Sequence, residues 1–170
     1  KTCLIKRYSE DKFDDGTVNT VGVDFQEVVH NIDGIDLHFR IWDTAGQERF
    51  RNILPNFFRE VDSCVLVFDI CSIETFNNLP EWISRFKDYS PNSPIIILGN
   101  KSDLEENREV KYEDAENFAT QNQCPYFEVS AKTNSNVKEA FAEVFSKGYD
   151  FFKGHKVETS QQTNIPLDEQ

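Results

Sequence analysis

A chain of 170 residues, 38% hydrophobic and 28% charged, suits one domain with a core large enough to fold alone. Its formal net charge of -12 and pI near 4.6 argue against nucleic acid as a partner, because phosphate backbones reward basic stripes and none occurs here. No run approaches the roughly 18 apolar residues of a membrane span and no secretory signal is present, so the expected location is cytoplasmic.

The opening stretch, Lys1 to Asp11, carries Leu4, Ile5 and Tyr8 at helical spacing, with Phe13 just beyond its end. Polar residues and Gly16 make Asp14 to Thr20 a loop. Two strands follow, about Val21 to Asn31 and Ile35 to Asp43, and Asp33-Gly34 between them is a strong hairpin signal that pairs them antiparallel. Glu48 to Glu60 is expected to be irregular or weakly helical, interrupted by Pro55. Cys64 to Asp69 and Ile95 to Asn100 are continuous apolar runs, the pattern of central parallel strands covered on both faces. The stretch between them, Ile73 to Tyr89, has helical spacing, but Pro80 falls inside it and implies a kink or a restart. Tyr112 to Gln121 reads as a helix, Pro125 to Val129 as a short strand, and Ser135 to Phe152 as a last amphipathic helix. Lys153 to Gln170 lacks an apolar period and is expected to be a disordered tail. The scattered Cys3, Cys64, Cys71 and Cys124 fit free thiols better than disulfides or a zinc site.

Alternating strands and helices predict an α/β doubly wound, mostly parallel sheet with one antiparallel edge hairpin and helices on both faces. Ligands in such sheets bind at the carboxyl ends of the strands. Three polar motifs fall there: Asp43-Thr44-Ala45-Gly46-Gln47, Asn100-Lys101-Ser102-Asp103 and Ser130-Ala131-Lys132. An acidic residue, a bare glycine and a glutamine at a strand end suit a place where a metal-bound phosphate is sensed and a water is aimed. The Asp103 carboxylate can accept from a ring N–H and an exocyclic amine side by side, which guanine offers and adenine does not. Asn100 can tie neighbouring loops together, the Lys101 stem can lie along a ring face, and backbone N–H groups of Ser130 to Lys132 can reach a carbonyl oxygen. Each motif alone could equally be a strand-end turn, because Asn, Asp and Ser favour turns. Lys1-Thr2 at a helix start has the form of the end of a Walker A loop.

These residues, in this order and spacing, resemble a small GTPase of the Ras superfamily, and within it a Rab. Rab-like features are Val21 to Phe25, Ile41 to Arg51 and Phe57-Phe58-Arg59, and the resemblance covers about Lys1 to Phe152. It implies a small GTPase domain over residues 1–153, a flexible tail over 154–170, and a P-loop GTPase fold. The first strand and phosphate loop of that fold are missing from this chain, and the intact protein is expected to carry them upstream. The implied cofactors are GTP/GDP and Mg2+. Lys1 would contact the β/γ-phosphates, Thr2 and Thr20 would ligate Mg2+, and Asp43 would hold it through water. Thr20 and Gly46 would sense the γ-phosphate, and Gln47 would position the attacking water. Asn100, Lys101, Asp103, Ser130, Ala131 and Lys132 would hold guanine. Phe13 would pack on it, although a helix-end core phenylalanine is the other reading. Phe25, Trp42 and Phe57 would face effectors, Phe57 serving the core about as readily.

The implied partners are a guanine nucleotide, an exchange factor, a GTPase-activating protein and effectors in vesicle traffic. A membrane would be reached only through a lipid anchor that this chain lacks, since no C-terminal cysteine is available for prenylation; a prenylated C-terminus would make the protein peripheral. No arginine is placed to act as a finger, so unaided hydrolysis should be slow. The alternative function is a nucleotide-deficient Rab-like binding module. A NAD-type dehydrogenase is disfavoured because no G-x-G-x-x-G occurs.

Overall fold

The computed structural model describes residues 1–16, 20, 22–44, 55–59 and 61–162. Helix α1 (Thr2–Glu10) leads into a hairpin of β1 (Val23–Ile32) and β2 (Ile35–Thr44). Asp33 and Gly34 close the hairpin with φ of 53° and 82°, the left-handed pair that a two-residue turn requires. The short helix α2 (Pro55–Phe58), strand β3 (Cys64–Asp69) and helices α3 (Ile73–Asn77) and α4 (Leu79–Lys87) follow. The chain then runs through β4 (Ile95–Asn100), a 3-10 turn at Glu105–Asn107, α5 (Tyr112–Gln121), β5 (Tyr126–Val129) and α6 (Val137–Gln162). The Ile73 to Tyr89 stretch does restart: Asn78 ends α3, and Pro80 lies in the first turn of α4, where its missing N–H leaves no bond unmade.

Strands β3, β4 and β5 form a parallel sheet in that order. The apolar run of β4 is two interleaved stripes. Ile96 and Leu98 join Leu4 of α1 and Val137, Phe141, Val144 and Phe145 of α6 in one core. Ile95 and Ile97 join Phe68, Leu79, Ile83, Phe86, Ala115 and Ala119 in the other. A side-chain period of two with both faces covered makes every apolar residue of the strand a core residue.

The hairpin is a separate two-stranded sheet. Among the described residues, β2 pairs with β1 and β3 with β4, and no strand joins β2 to β3. A cavity of about 430 Å³ lies between those two edges, lined by Phe39, Ile41, Val65 and Val67 and floored by Phe141 and Phe145. The packing of α1 and α6 against β1 and β2 holds the hairpin beside this gap.

The last helix continues through residues the sequence reading assigns to a tail from Lys153. Helical backbone reaches Gln162 through Gly148 and Gly154, because no proline intervenes and the local pairs Lys147–Glu143 and Lys153–Asp150 support successive turns. The expected tail beyond 162 lies outside the described residues. Among the described residues, Cys3, Cys64, Cys71 and Cys124 are free thiols, and no helix is long and apolar enough to cross a membrane.

Candidate nucleotide and cation site

Strand alternation divides the end of β2 into two roles. Trp42 points outward, 37% exposed, while Asp43 is only 8% exposed. At Asp43 three segments distant in sequence converge. Thr2 Oγ1 donates to Asp43 Oδ2 at 2.5 Å, and Thr20 Oγ1 lies 2.7 Å from Thr2 Oγ1 and donates to the same carboxylate oxygen at 3.3 Å. The other oxygen, Asp43 Oδ1, is buried without a hydrogen-bond partner. A buried anionic oxygen left unpaired is unfavourable. Two hydroxyls and a carboxylate form an all-oxygen donor set, which suits a hard divalent cation, and the unsatisfied Oδ1 is where such an ion or its water would be most favourable. These residues therefore fit Mg2+. Among the described residues no cluster of three or more His, Cys, Asp or Glu offers a competing metal site.

Lys1 caps α1, its carbonyl accepting from the N–H groups of Leu4 and Ile5 at 2.8 and 3.1 Å. Although Lys1 keeps surface exposure, the protein packed around its ammonium pushes its pKa below the ordinary value, and nearby Asp43 partly offsets this. Gly46 and Gln47 lie outside the described residues.

The second constellation forms where β4 and β5 end. Asn100 Oδ1 accepts from Ala131 N–H at 3.4 Å, tying the two loops together as the sequence suggests. Ser130, fully buried, donates from Oγ to Asp103 Oδ1 at 2.5 Å and accepts the Thr133 N–H at 3.0 Å. Its own N–H is committed to Ser135 O at 3.0 Å. Ser130 therefore supports the Asp103 carboxylate rather than offering its backbone donor to a ligand. Lys101 has φ of 70°, a strained conformation for a residue with a side chain, and its Nζ is 2.5 Å from Asp69 Oδ2. That hydrogen bond, more than any other influence, raises the Lys101 pKa, and it lays the side chain across the strand ends.

Arg7 and Asp69 are part of this frame but were not picked out from the sequence. Arg7 Nε donates to Ala131 O at 2.8 Å and its Nη2 to Lys132 O at 3.2 Å, so α1 holds the loop after β5 in place. Asp11 completes the tie by accepting from Arg7 Nη1 at 2.9 Å and from Asn134 Nδ2 at 3.1 Å. The available signal was the Arg7 and Asp11 spacing of one helical turn, which reads as an ordinary surface pair. Phe13 is half-buried against the core of α1 and α6.

On the outer face, Phe25 and Trp42 are directly opposite in the hairpin register with ring centroids 5.3 Å apart, and Phe57 continues the row 5.2 Å from Trp42. Arg40 lies 4.8 Å over the Phe25 ring and is paired with Glu27 at 2.7 Å. The three aromatic residues singled out in the sequence thus form one contiguous row.

A parallel sheet with helices on both faces, an antiparallel hairpin and polar motifs at the strand ends is consistent with a P-loop GTPase fold. Comparison with known proteins agrees: the Ras family model matches residues 1–150. The chain is 42% identical over 142 residues to Ras-related protein RABD2a of Arabidopsis thaliana, covering 83% of this chain and 70% of that one. It is 42% identical over 142 residues to human Ras-related protein Rab-4B, at 83% and 67% coverage, and 41% identical over 145 residues to human Ras-related protein Rab-30, at 85% and 71%. The chain belongs to the Ras superfamily of small GTPases, in its Rab family.

Proposed function

We propose that this Rab-like small GTPase binds GTP and GDP with Mg2+, hydrolyses GTP slowly and recruits effectors through its aromatic row in vesicle traffic. The observation that carries the reading is the buried Asp43 carboxylate, with Thr2 and Thr20 hydroxyls on one oxygen and nothing on the other. Thr2 and Thr20 would hold Mg2+ directly and Asp43 through water, and the ion would neutralise charge on the β- and γ-phosphates. Lys1 would add a cation at the phosphates; burial lowers its pKa, and an anionic phosphate beside it would oppose that lowering, as Asp43 already does in part. Asp103, steadied by Ser130, would accept the guanine N–H groups, with Asn100, Lys101, Ala131 and Lys132 completing the base site and Phe13 flanking it. Gly46 and Thr20 would sense the γ-phosphate, and Gln47 would position the attacking water.

Because Trp42 and Asp43 are adjacent and face opposite sides of β2, a change at the cation is one residue from the effector row of Phe25, Trp42 and Phe57. Exchange factors and GTPase-activating proteins would set the cycle, the activating protein supplying the arginine finger. Titration of fluorescent GDP in Mg2+ and again in EDTA, followed by single-turnover GTP hydrolysis, tests the reading. Tight, Mg2+-dependent binding with unaided turnover far below one per second is expected. A folded full-length chain that binds no guanine nucleotide would instead be a nucleotide-deficient binding module.

A further inference from the structure

Away from the ligand-facing groups, Arg108 follows the 3-10 turn and every N–H of its guanidinium is committed. Nε donates to Glu105 Oε1 at 2.8 Å and Nη2 to Glu105 Oε2 at 2.7 Å. Nη1 and Nη2 also donate to Glu128 Oε1 and Oε2, both at 2.7 Å, and Nη1 to Val110 O at 2.9 Å. Glu105 is two residues after Asp103, and Glu128 two residues before Ser130. The two bidentate pairs therefore fasten the loop after β4 to the end of β5, just before the Ser130–Asp103 hydrogen bond. Glu128 is the sheltered partner, 14% exposed beside an Arg108 side chain 15% exposed, whereas Glu105 is 68% exposed. Tyr126 Oη adds a third hand, donating to Glu128 Oε1 at 2.9 Å. Gly99 leaves room for it: a Cβ there would lie 2.7 Å from that hydroxyl.

We propose that Arg108 is a positioning residue for guanine selection, acting through Glu128 and Glu105 to fix the Asp103 carboxylate relative to the loop after β5. The proposal rests on the guanine-nucleotide reading given above. A carboxylate accepting two adjacent N–H groups must be held in register with both, whereas acceptance from one N–H tolerates rotation. Loosening the brace therefore weakens binding of guanine, which offers a ring N–H and an amine, more than binding of hypoxanthine, which offers the ring N–H alone. The forked guanidinium can grip two carboxylates bidentately at once, which the three donors of an ammonium cannot.

The test compares dissociation rates of fluorescent GDP and IDP from the full chain in Mg2+, for the wild type, Arg108→Lys and the volume-conserving Glu128→Gln. Both variants should release GDP about tenfold faster, equivalent to about 1.4 kcal/mol, with IDP release changing several-fold less. The IDP-to-GDP rate ratio should thus fall toward one. Melting temperatures measured alongside separate this from general loosening, which accelerates both nucleotides equally. A wild-type ratio retained in both variants while GDP still binds would sink the brace alone. If the wild type binds neither nucleotide, the guanine reading fails and the brace with it.

Discussion

Replacing Asp43 with asparagine separates a cation ligand from a residue that merely organises hydroxyls. In the structure, Oδ2 takes both threonine hydroxyls and Oδ1 is buried with no hydrogen-bond partner, although Lys1 is near enough to interact with the carboxylate. Leaving such a group unsatisfied costs about 1–3 kcal/mol. Asparagine keeps the shape and an oxygen for the hydroxyls while removing the charge. In EDTA with GDP present, Asp43→Asn should therefore be as stable as the wild type or about 1 kcal/mol more stable. Mg2+ reverses the order. An ion at 100 times its dissociation constant stabilises the wild type by about 2.7 kcal/mol. For a chain of this size each kcal/mol moves the melting temperature by about 2–4 °C, so the wild type should gain roughly 5–10 °C. The variant should shift by less than about 2 °C. Differential scanning fluorimetry with 5 mM Mg2+ or EDTA, GDP held constant at about saturation, reads both quantities. An equal Mg2+ shift in the two proteins would refute the assignment, because the ion would then be held without the carboxylate.

Two other groups respond to separate perturbations. Burial pushes the Cys64 thiol from 9.0 up to about 12, so between those values the unfolded thiol ionises while the folded one stays protonated. Stability from this group is thus present below pH 9 and lost as pH rises. Because Cys64 retains some surface exposure, the loss between pH 8.5 and 10.5 is at most about 2 kcal/mol. Urea unfolding should show this decline in the wild type and a flatter one in Cys64→Ala; equal slopes would mean other groups govern it. Gly99→Ala places a Cβ 2.7 Å from Tyr126 Oη and 3.0 Å from Phe68 Cζ, both well packed, and should destabilise by about 1–3 kcal/mol in the same assay. A change within about 0.5 kcal/mol would show that the Tyr126 ring moves freely.

How far the sequence reveals this site depends on how each residue is held. Asn100 and Ser130 follow from a rule of topology: parallel strands of a doubly wound sheet end along one edge, so polar residues after apolar runs meet there, while Asp43 ends the alternating strand of a separate hairpin and is legible from its motif. Thr2 and Thr20 are legible only as motif fragments, and the fold supplies what the fragments lack, a common carboxylate oxygen. Asp69, which ends β3 beside Asn100, obeys the same rule, whereas Arg7 and Arg108 follow no such rule. Arg7 acts across 124 positions and Arg108 across 20, through hydrogen bonds that need the finished packing of α1 and β5. An arginine in a polar stretch reads as a solvated charge, and only its enclosure beside Glu128 distinguishes it. The missed helical turns after Phe152 have the opposite cause. Apolar periodicity reports the face a helix buries, whereas continuation past the core needs only the absence of proline and a few local ion pairs such as Lys153–Asp150.

The same distinction bears on how the switch would transmit its state. Side chains on opposite faces of one strand need no long route between them, and β2 places Asp43, proposed to hold the cation, and Trp42 in successive residues. Trp42 is also clamped across the hairpin by Phe25 and sideways by Phe57, at 5.3 and 5.2 Å. A displacement of Asp43 by a fraction of an ångström would therefore disturb an aromatic row whose pairings are each worth about 0.5–1.5 kcal/mol. Several such contacts changing together reach the few kcal/mol by which a partner discriminates two states. The proposed recognition surface could be governed by the nucleotide without any rearrangement of the α/β core, because Ile95 to Leu98 are buried on both faces and resist movement, whereas the hairpin is tied to them through α1 and α6.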